Sequence, residues 1–140
     1  MGCLVGIDFG TKRTGIACTD PNQIIASGLK NLPTDQVIPY LKSFCQLEAV
    51  DLFVVGKPMQ KDGNPSPLES KIYNFIKKLK QNFPEKEIKR YDERYTSKIA
   101  FQTLIDSGLK KKQRADRGMI DQVSATLILQ SYLEYKLNTE

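Results

Sequence analysis

Residues 4–19, Leu-Val-Gly-Ile-Asp-Phe-Gly-Thr-Lys-Arg-Thr-Gly-Ile-Ala-Cys-Thr, decide the fold of this chain. Leu4–Phe9 is an apolar run typical of a strand, and Thr14–Thr19 is a second one. Gly10 ends the first run, and the short connection predicts that the two strands form a hairpin. The sheet is therefore expected to begin with an antiparallel pair.

Further along the chain, strand patterns alternate with helical ones. The predicted elements are strands at Ile24–Leu29, Asp51–Val55 and Ile88–Asp92, and helices at about 34–45, 66–83, Thr96–Ser107 and Asp121–Leu137. The order β-β-β-α-β-α-β-α-α predicts an α/β protein with a mixed five-stranded sheet. In it, helices pack on a sheet that opens with an antiparallel meander, which is the RNase H-like arrangement.

Local signals mark where two of the helices begin. Thr34 is expected to be the N-cap of the first helix. Ser66, Pro67 and Glu69 have the spacing of a capping box with proline in the first turn, and Pro84 ends that second helix.

Length and composition limit the possible classes of protein. The 140 residues predict one domain, residues 1–140, with no apolar run long enough to cross a membrane and no signal peptide. The three cysteines lack zinc-ligand spacing, so we expect reduced thiols and a cytoplasmic protein. A net charge of +5 favours polyanionic partners.

The chain contains no histidine. The usual general base, the Ser-His-Asp triad and imidazole metal ligands are therefore excluded. Hydrolytic chemistry has to depend on carboxylates, lysine, tyrosine, cysteine or a metal ion.

Asp8 ends the first predicted strand. Alternation places it on the same face as Gly6 and on the opposite face from Ile7. A carboxylate there is costly to desolvate without a cation or a hydrogen-bond donor, which favours a ligand role. The alternative is that Asp8 caps the turn, accepting a hydrogen bond from the amide of Gly10 or Thr11.

A second acidic position follows the strand Ile88–Asp92. If that strand continued, Asp92 and Glu93 would point to opposite faces, so only one of them can join a given site. Asp92 has an alternative role in starting the next helix, and Glu93 has one in a surface ion pair with Arg94.

Asp121 is expected to begin the last helix, where an acid is often only a cap that interacts with the helix dipole. Together, however, the three acids Asp8, Glu93 and Asp121 come from two strands and a helix. Oxygen ligands that converge from separate elements suit one or two Mg²⁺ or Mn²⁺ ions, which activate water and stabilise a leaving oxygen at phosphorus.

Four motifs, in order along the chain, resemble the YqgF/RuvX family of Holliday junction resolvases, also described as nucleases that mature the 5′ end of pre-16S rRNA. They are Val5–Ala17, Val54–Pro58 with Asp62-Gly63, Asp92–Ser97, and Ile120–Ala125 running into Ile128–Leu133. The resemblance implies an RNase H-like fold and the catalytic and metal-binding set Asp8, Glu93 and Asp121, and it selects Glu93 over Asp92. Two positions depart from the family pattern: Ser124, where alanine is usual, and Lys57, where a hydrophobic residue is common.

Basic residues lie near these acids in the sequence. A basic run is usually a solvated loop, but its position before Asp121 favours contact with phosphate. The predicted nucleic-acid-binding residues are Lys12, Arg13, Lys57, Arg94, Lys110, Lys112, Arg114 and Arg117.

These observations predict a metal-dependent endonuclease, and the family resemblance implies processing of the 5′ end of pre-16S rRNA ahead of resolution of branched DNA. Expected partners are nucleic acid and ribosomal assembly intermediates, and the expected state is a monomer or a homodimer. One rival is an ATP-dependent enzyme, because the Asp-x-Gly-Thr hairpin also resembles the phosphate loop of the actin, Hsp70 and sugar-kinase superfamily. Those enzymes use two domains. The other rival is a ribosome-assembly or transcription factor that binds nucleic acid without cutting it.

Overall fold

The computed structural model describes residues 2–95, 98–106 and 117–139. Within these ranges, five strands form one mixed sheet in the order β3-β2-β1-β4-β5. The strands are β1 (Cys3–Asp8), β2 (Arg13–Thr19), β3 (Ala26–Pro33), β4 (Val50–Lys57) and β5 (Glu87–Asp92). The helices are α1 (Val37–Leu47), α2 (Glu69–Asn82), α3 (Lys98–Asp106) and α4 (Arg117–Thr139).

The predicted hairpin and mixed sheet are confirmed. β1 pairs antiparallel with β2, and β2 pairs antiparallel with β3. β4 lies parallel to both β1 and β5. The carboxyl ends of β1, β4 and β5 therefore meet at one edge of the sheet.

The predicted bounds of the third strand were wrong, because the chain turns before the strand begins. The carboxylate of Asp20 accepts hydrogen bonds from the amides of Ile24 and Ile25, each at 2.8 Å. These bonds hold residues 20–25 in a turn and leave Ile24 68% exposed. β3 consequently starts at Ala26 and runs to Pro33.

Thr34 is not the N-cap of α1. A short 3₁₀ turn, Thr34–Gln36, precedes that helix, and no side chain caps it. The Thr34 hydroxyl instead donates to the Gly10 carbonyl (2.6 Å) and lies 2.8 Å from the Thr14 hydroxyl. Thr34 therefore ties the end of β3 to the β1–β2 hairpin.

The predicted capping box at α2 is also wrong. The helix begins at Glu69, three residues after Ser66, whose hydroxyl accepts a hydrogen bond from the Leu68 amide (3.2 Å). Glu69 does not reach back to Ser66, because its carboxylate pairs with Arg90 on β5 at 2.8 Å.

The sheet is covered by apolar side chains on both faces. One core lies between the sheet and α1 and α2, and includes Val5, Ile7, Phe53 and Val55. The other lies under α4 and includes Leu4, Val54, Ala125, Ile128 and Leu129. Leu52–Val55 is buried throughout, as a strand covered on both faces requires.

Cys3, Cys18 and Cys45 are free thiols, as the sequence predicts. Burial raises the pKa of Cys3 to about 11. Among the helices that the structure describes, none has the length and hydropathy needed to cross a bilayer. The cytoplasmic location stays a prediction.

α4 packs closely against the backbone of the sheet at Gly6. A Cβ atom added there would lie 2.8 Å from the Cβ of Leu129 and 3.2 Å from the carbonyl oxygen of Ala125. Neither atom is the movable end of a side chain, so only glycine fits without moving the helix.

We expect Gly6→Ala to lower the free energy of unfolding by about 2 kcal/mol, because it overpacks the contact between α4 and β1. Urea denaturation measures this change. Gly28→Ala on exposed β3 is the matched control and should leave stability nearly unchanged. Equal stability of the two variants would contradict the close helix–sheet contact.

Candidate metal and nucleic-acid site

Asp8 ends β1 on the face of the sheet that α4 covers. Two residues earlier, Gly6 contacts Ala125 and Leu129 on that helix, and alternation puts Asp8 on the same side. Asp8 is partly buried. The Gly10 amide, one of the two partners expected if Asp8 capped the turn, donates to the Thr14 hydroxyl instead at 3.3 Å.

Gly56 on β4 lies beside Asp8. The parallel register pairs Gly6 with Val54 and Ile7 with Val55, so Asp8 and Gly56 come next along the two strands. Neighbouring strands are about 4.8 Å apart. Gly56 has no side chain, and it therefore leaves open space next to the Asp8 carboxylate.

The Glu93 side chain occupies part of that space. Glu93 opens a 3₁₀ turn, Glu93–Tyr95, directly after β5. A Cβ atom on Gly56 would lie 3.2 Å from the carboxyl carbon of Glu93 and 2.8 Å from Cδ1 of Ile128. The Glu93 carboxyl therefore packs over Gly56, on the same face of the sheet as Asp8.

Asp92 has a structural role. Its carboxylate accepts hydrogen bonds from the Arg94 amide (2.9 Å) and the Arg94 guanidinium (2.8 Å). The same bonds from Arg94 lower the pKa of Asp92. The acid expected to start the next element is thus Asp92, and the surface ion pair joins Arg94 to Asp92 rather than to Glu93.

Burial raises the pKa of Glu93, the charges of Asp92 and Glu69 raise it further, and Arg90 opposes them. Arg90 is held firmly: it pairs with Glu69 at 2.8 Å and donates to the carbonyls of Gly56 (3.1 Å) and Val55 (3.3 Å). The positive charge of Arg90 therefore acts on two carboxylates, those of Glu69 and Glu93. The sequence offered no signal for this role, since Arg90 appears in it only as a charge within a strand.

Asp121 is the fifth residue of α4, and the helix begins four residues earlier than predicted. The first turn of α4 contains no acidic residue, so nothing supports the alternative that Asp121 is only a cap that interacts with the helix dipole. The side chain of Asp121 lies outside the part of the chain that the structure describes. Among the side chains that are described, no three acids, cysteines or histidines converge on a metal position.

Four of the predicted nucleic-acid-binding residues lie at the same edge of the sheet. Lys12 and Arg13 are exposed at the turn that follows Asp8, and Lys57 ends β4 beside Gly56. Arg94 is engaged by Asp92 and by a stacking contact with Tyr95. Lys110, Lys112 and Arg114, and the side chain of Arg117, lie outside the described residues.

Ser124 is partly buried beside fully buried Ala125, and α4 still packs closely on β1.

A mixed sheet in this strand order, with helices on both faces and an acid at the end of its central strand, defines an RNase H-like protein.

The chain belongs to the RuvX family, as its motifs predict: the family model described as "RuvX: Holliday junction resolvase" matches residues 2–135. It is 49% identical to a "Putative pre-16S rRNA nuclease" of Flavobacterium psychrophilum, over 98% of this chain and all of the relative. It is 50% identical to the protein of the same name from Flavobacterium johnsoniae, over 97% of this chain and 99% of the relative.

Two solved structures share the fold. One, described as "T. thermophilus RuvC in complex with Holliday junction substrate", has a TM-score of 0.66 and 14% identity, and covers 99% of this chain and 98% of its own. A second structure of Thermus thermophilus RuvC has a TM-score of 0.56 and 13% identity, and covers 98% of this chain and 97% of its own. At these identities the likeness supports the RNase H-like fold alone.

We expect Arg90→Met to raise the pKa of Glu93 further, because it removes the cation that lowers this pKa. Carbon-detected NMR titration of the Glu93 carboxyl measures the shift, and thermal melting verifies that the variant is folded. Lys89→Met is the control, since Lys89 is on the same strand but pairs with Glu87 at 2.8 Å. An unchanged Glu93 pKa in Arg90→Met would show that Arg90 does not act on the site.

Proposed function

We propose that this chain is a metal-dependent endonuclease that cuts a phosphodiester bond in precursors of 16S rRNA. The observation that carries the proposal is that the Glu93 carboxyl packs over Gly56, which comes next to Asp8 in the parallel register of β1 and β4. Asp8 at the end of β1 and Glu93 in the turn after β5 lie on one face at the carboxyl edge of the sheet, and Lys12 and Lys57 lie at the same edge. The names of the two Flavobacterium relatives support the choice of substrate.

The donor set fits a hard divalent cation. Asp8 and Glu93 offer only oxygen atoms, the chain lacks histidine, and the partly buried Glu93 gains from a cation beside it. We propose that these two residues and Asp121 hold Mg²⁺ or Mn²⁺. When bound, such an ion activates the attacking water and stabilises the leaving oxygen.

Asp121 enters this proposal through its place on α4. It precedes Ala125 by four residues, about one helical turn, and Ala125 contacts Gly6 two residues before Asp8. That spacing supports a third carboxylate near the first two.

The residues of the chain divide the work as follows. Asp8, Glu93 and Asp121 hold the cation. Arg90 bonds to the backbone of β4 and lowers the pKa of Glu93. Lys12, Arg13 and Lys57 bind the flanking phosphates, as do the basic residues before Asp121.

Since helices cover both faces of the one sheet, we also propose that the chain works as a single domain.

Branched DNA is the second candidate substrate, because the matching family model is described as a Holliday junction resolvase. A resolvase that acts on a two-fold symmetric junction is expected to dimerise. The decisive comparison is incubation of the pure protein with a pre-16S rRNA fragment and with a four-way DNA junction. Each is tested with Mg²⁺, Mn²⁺ or a chelator.

We expect Asp8→Asn to lower the rate of cleavage by about 100-fold or more, because it removes a charged ligand while keeping the shape of the side chain. Gel assays measure cleavage, and fluorescence anisotropy measures binding, which should be retained. A variant that cleaves as fast as the wild type would overturn the nuclease proposal and favour a binding protein.

We expect Gly56→Ala to lower cleavage by about tenfold or more while the protein stays folded, because the new methyl group displaces the Glu93 carboxyl. The atom it meets most closely is the flexible end of Ile128, so the loss of stability should be smaller than in Gly6→Ala. Cleavage and urea denaturation of both variants separate the two effects. Full activity in Gly56→Ala would contradict the role of Glu93.

A further inference from the structure

A pocket rich in tyrosine lies at the outer edge of the sheet, beyond Glu93. Its volume is about 490 Å³, and it is called here the tyrosine pocket. It is lined by Arg90, Tyr91, Asp92, Tyr95, Tyr132 and Tyr135. The volume is within the range of pockets that hold small molecules.

Three of the rings of this pocket contact one another. Tyr91 meets Tyr132 edge to face, with ring centroids 6.4 Å apart, and lies 6.2 Å from Tyr135. The Tyr91 hydroxyl donates to the carbonyl of Tyr95 at 2.8 Å. A preformed aromatic wall of this kind loses little conformational entropy when a flat ligand binds.

Two of the rings are open to solvent. Tyr95 is 65% exposed and Tyr135 is 56% exposed, while Tyr132 is buried. The guanidinium of Arg94 lies 5.6 Å from the centre of the Tyr95 ring, so a cation flanks the exposed aromatic surface. Packing of the core does not require the rings of Tyr95 and Tyr135 to be exposed.

The pocket lies next to the candidate site on the neighbouring strand. Tyr91 on β5 is paired in register with Gly56, over which Glu93 packs. Asp8, Gly56 and Tyr91 therefore form one row across three strands, spanning about 10 Å at the usual strand spacing. A strand of nucleic acid with a phosphate at Asp8 and Glu93 has a neighbouring base within reach of Tyr91.

We propose that the tyrosine pocket binds an unpaired nucleobase next to the phosphodiester bond that is cut. This deepens the proposed function and rests on it. Aromatic side chains stack on bases of any sequence, and arginine adds a cation–π contribution. The occupant is the base rather than the backbone, because four of the six residues that line the pocket are tyrosines and the guanidinium of Arg90 is already paired with Glu69.

The test uses a fluorescein-labelled single-stranded RNA and the DNA of the same sequence, bound in the presence of a chelator so that affinity is read without cleavage. We expect Tyr95→Ala and Tyr135→Ala each to weaken binding by about 5- to 100-fold, the loss typical of one base stack. Tyr95→Phe keeps the ring and should bind like the wild type. Tyr73→Ala is the matched control, since Tyr73 is 58% exposed on α2 and lies outside the pocket.

A scan of abasic positions along the oligonucleotide identifies the bound base. We expect one position at which removing the base weakens binding to the wild type by a similar factor, with no further loss in Tyr95→Ala. Thermal melting verifies that each variant is folded. Wild-type affinity in both alanine variants, or equal affinity for every abasic oligonucleotide, would overturn the proposal.

Three other outcomes separate this proposal from a contact between copies of the chain and from the nuclease proposal. If the alanine variants bind nucleic acid normally but change the sedimentation of the protein, the pocket is a contact between copies of the chain and the proposal is wrong. If the wild type shows the abasic-sensitive position but no cleavage with Mg²⁺ or Mn²⁺, the base pocket stands and the nuclease proposal fails. Cleavage without an abasic-sensitive position gives the reverse conclusion.

Discussion

The close packing of α4 on β1 and β4 is the constraint on which the rest of the structure depends. The helix crosses the sheet at Gly6 and Gly56, two positions on the same face where a side chain would meet Leu129 or Ile128. Where the helix lies so near the backbone, the second core includes small and branched side chains such as Ala125 and Val54. The same close approach brings the N-terminal part of α4 towards the carboxyl edge of the sheet.

Gly56 links this packing to the candidate site. Without a side chain of its own, it accepts Ile128 from the helix and the carboxyl of Glu93 from the turn after β5. The partial burial of that carboxyl raises its pKa, and Arg90 compensates from the strand edge while also bonding to the Gly56 carbonyl. Gly56 thus determines both how closely α4 packs and how deeply the Glu93 carboxyl is buried. A cation bound beside Glu93 would reduce the free-energy cost of keeping carboxylates close together.

Much of the fold could be predicted from the sequence. Hydrophobic patterns predicted the hairpin and the order of strands and helices, because these patterns follow from local geometry. The predictions that failed concern caps and boundaries. Thr34, Ser66 and Glu69 each had the right chemistry for a helix start, but Thr34 and Glu69 found partners distant in sequence, Gly10 and Arg90, and Ser66 bonds Leu68 within a turn that precedes the helix.

The sequence by itself determined the chemistry that the chain can use: carboxylates without histidine, a basic surface and an acid at the end of the central strand. The motifs also selected Glu93 over Asp92, a choice that strand alternation left open. Only the tertiary structure decided that the Glu93 carboxyl packs over Gly56, that Asp92 pairs with Arg94, and that four tyrosines from β5, its following turn and α4 form one pocket. These are contacts between residues far apart in the chain, and they depend on the register of strands and the depth at which a helix packs, neither of which a local pattern specifies.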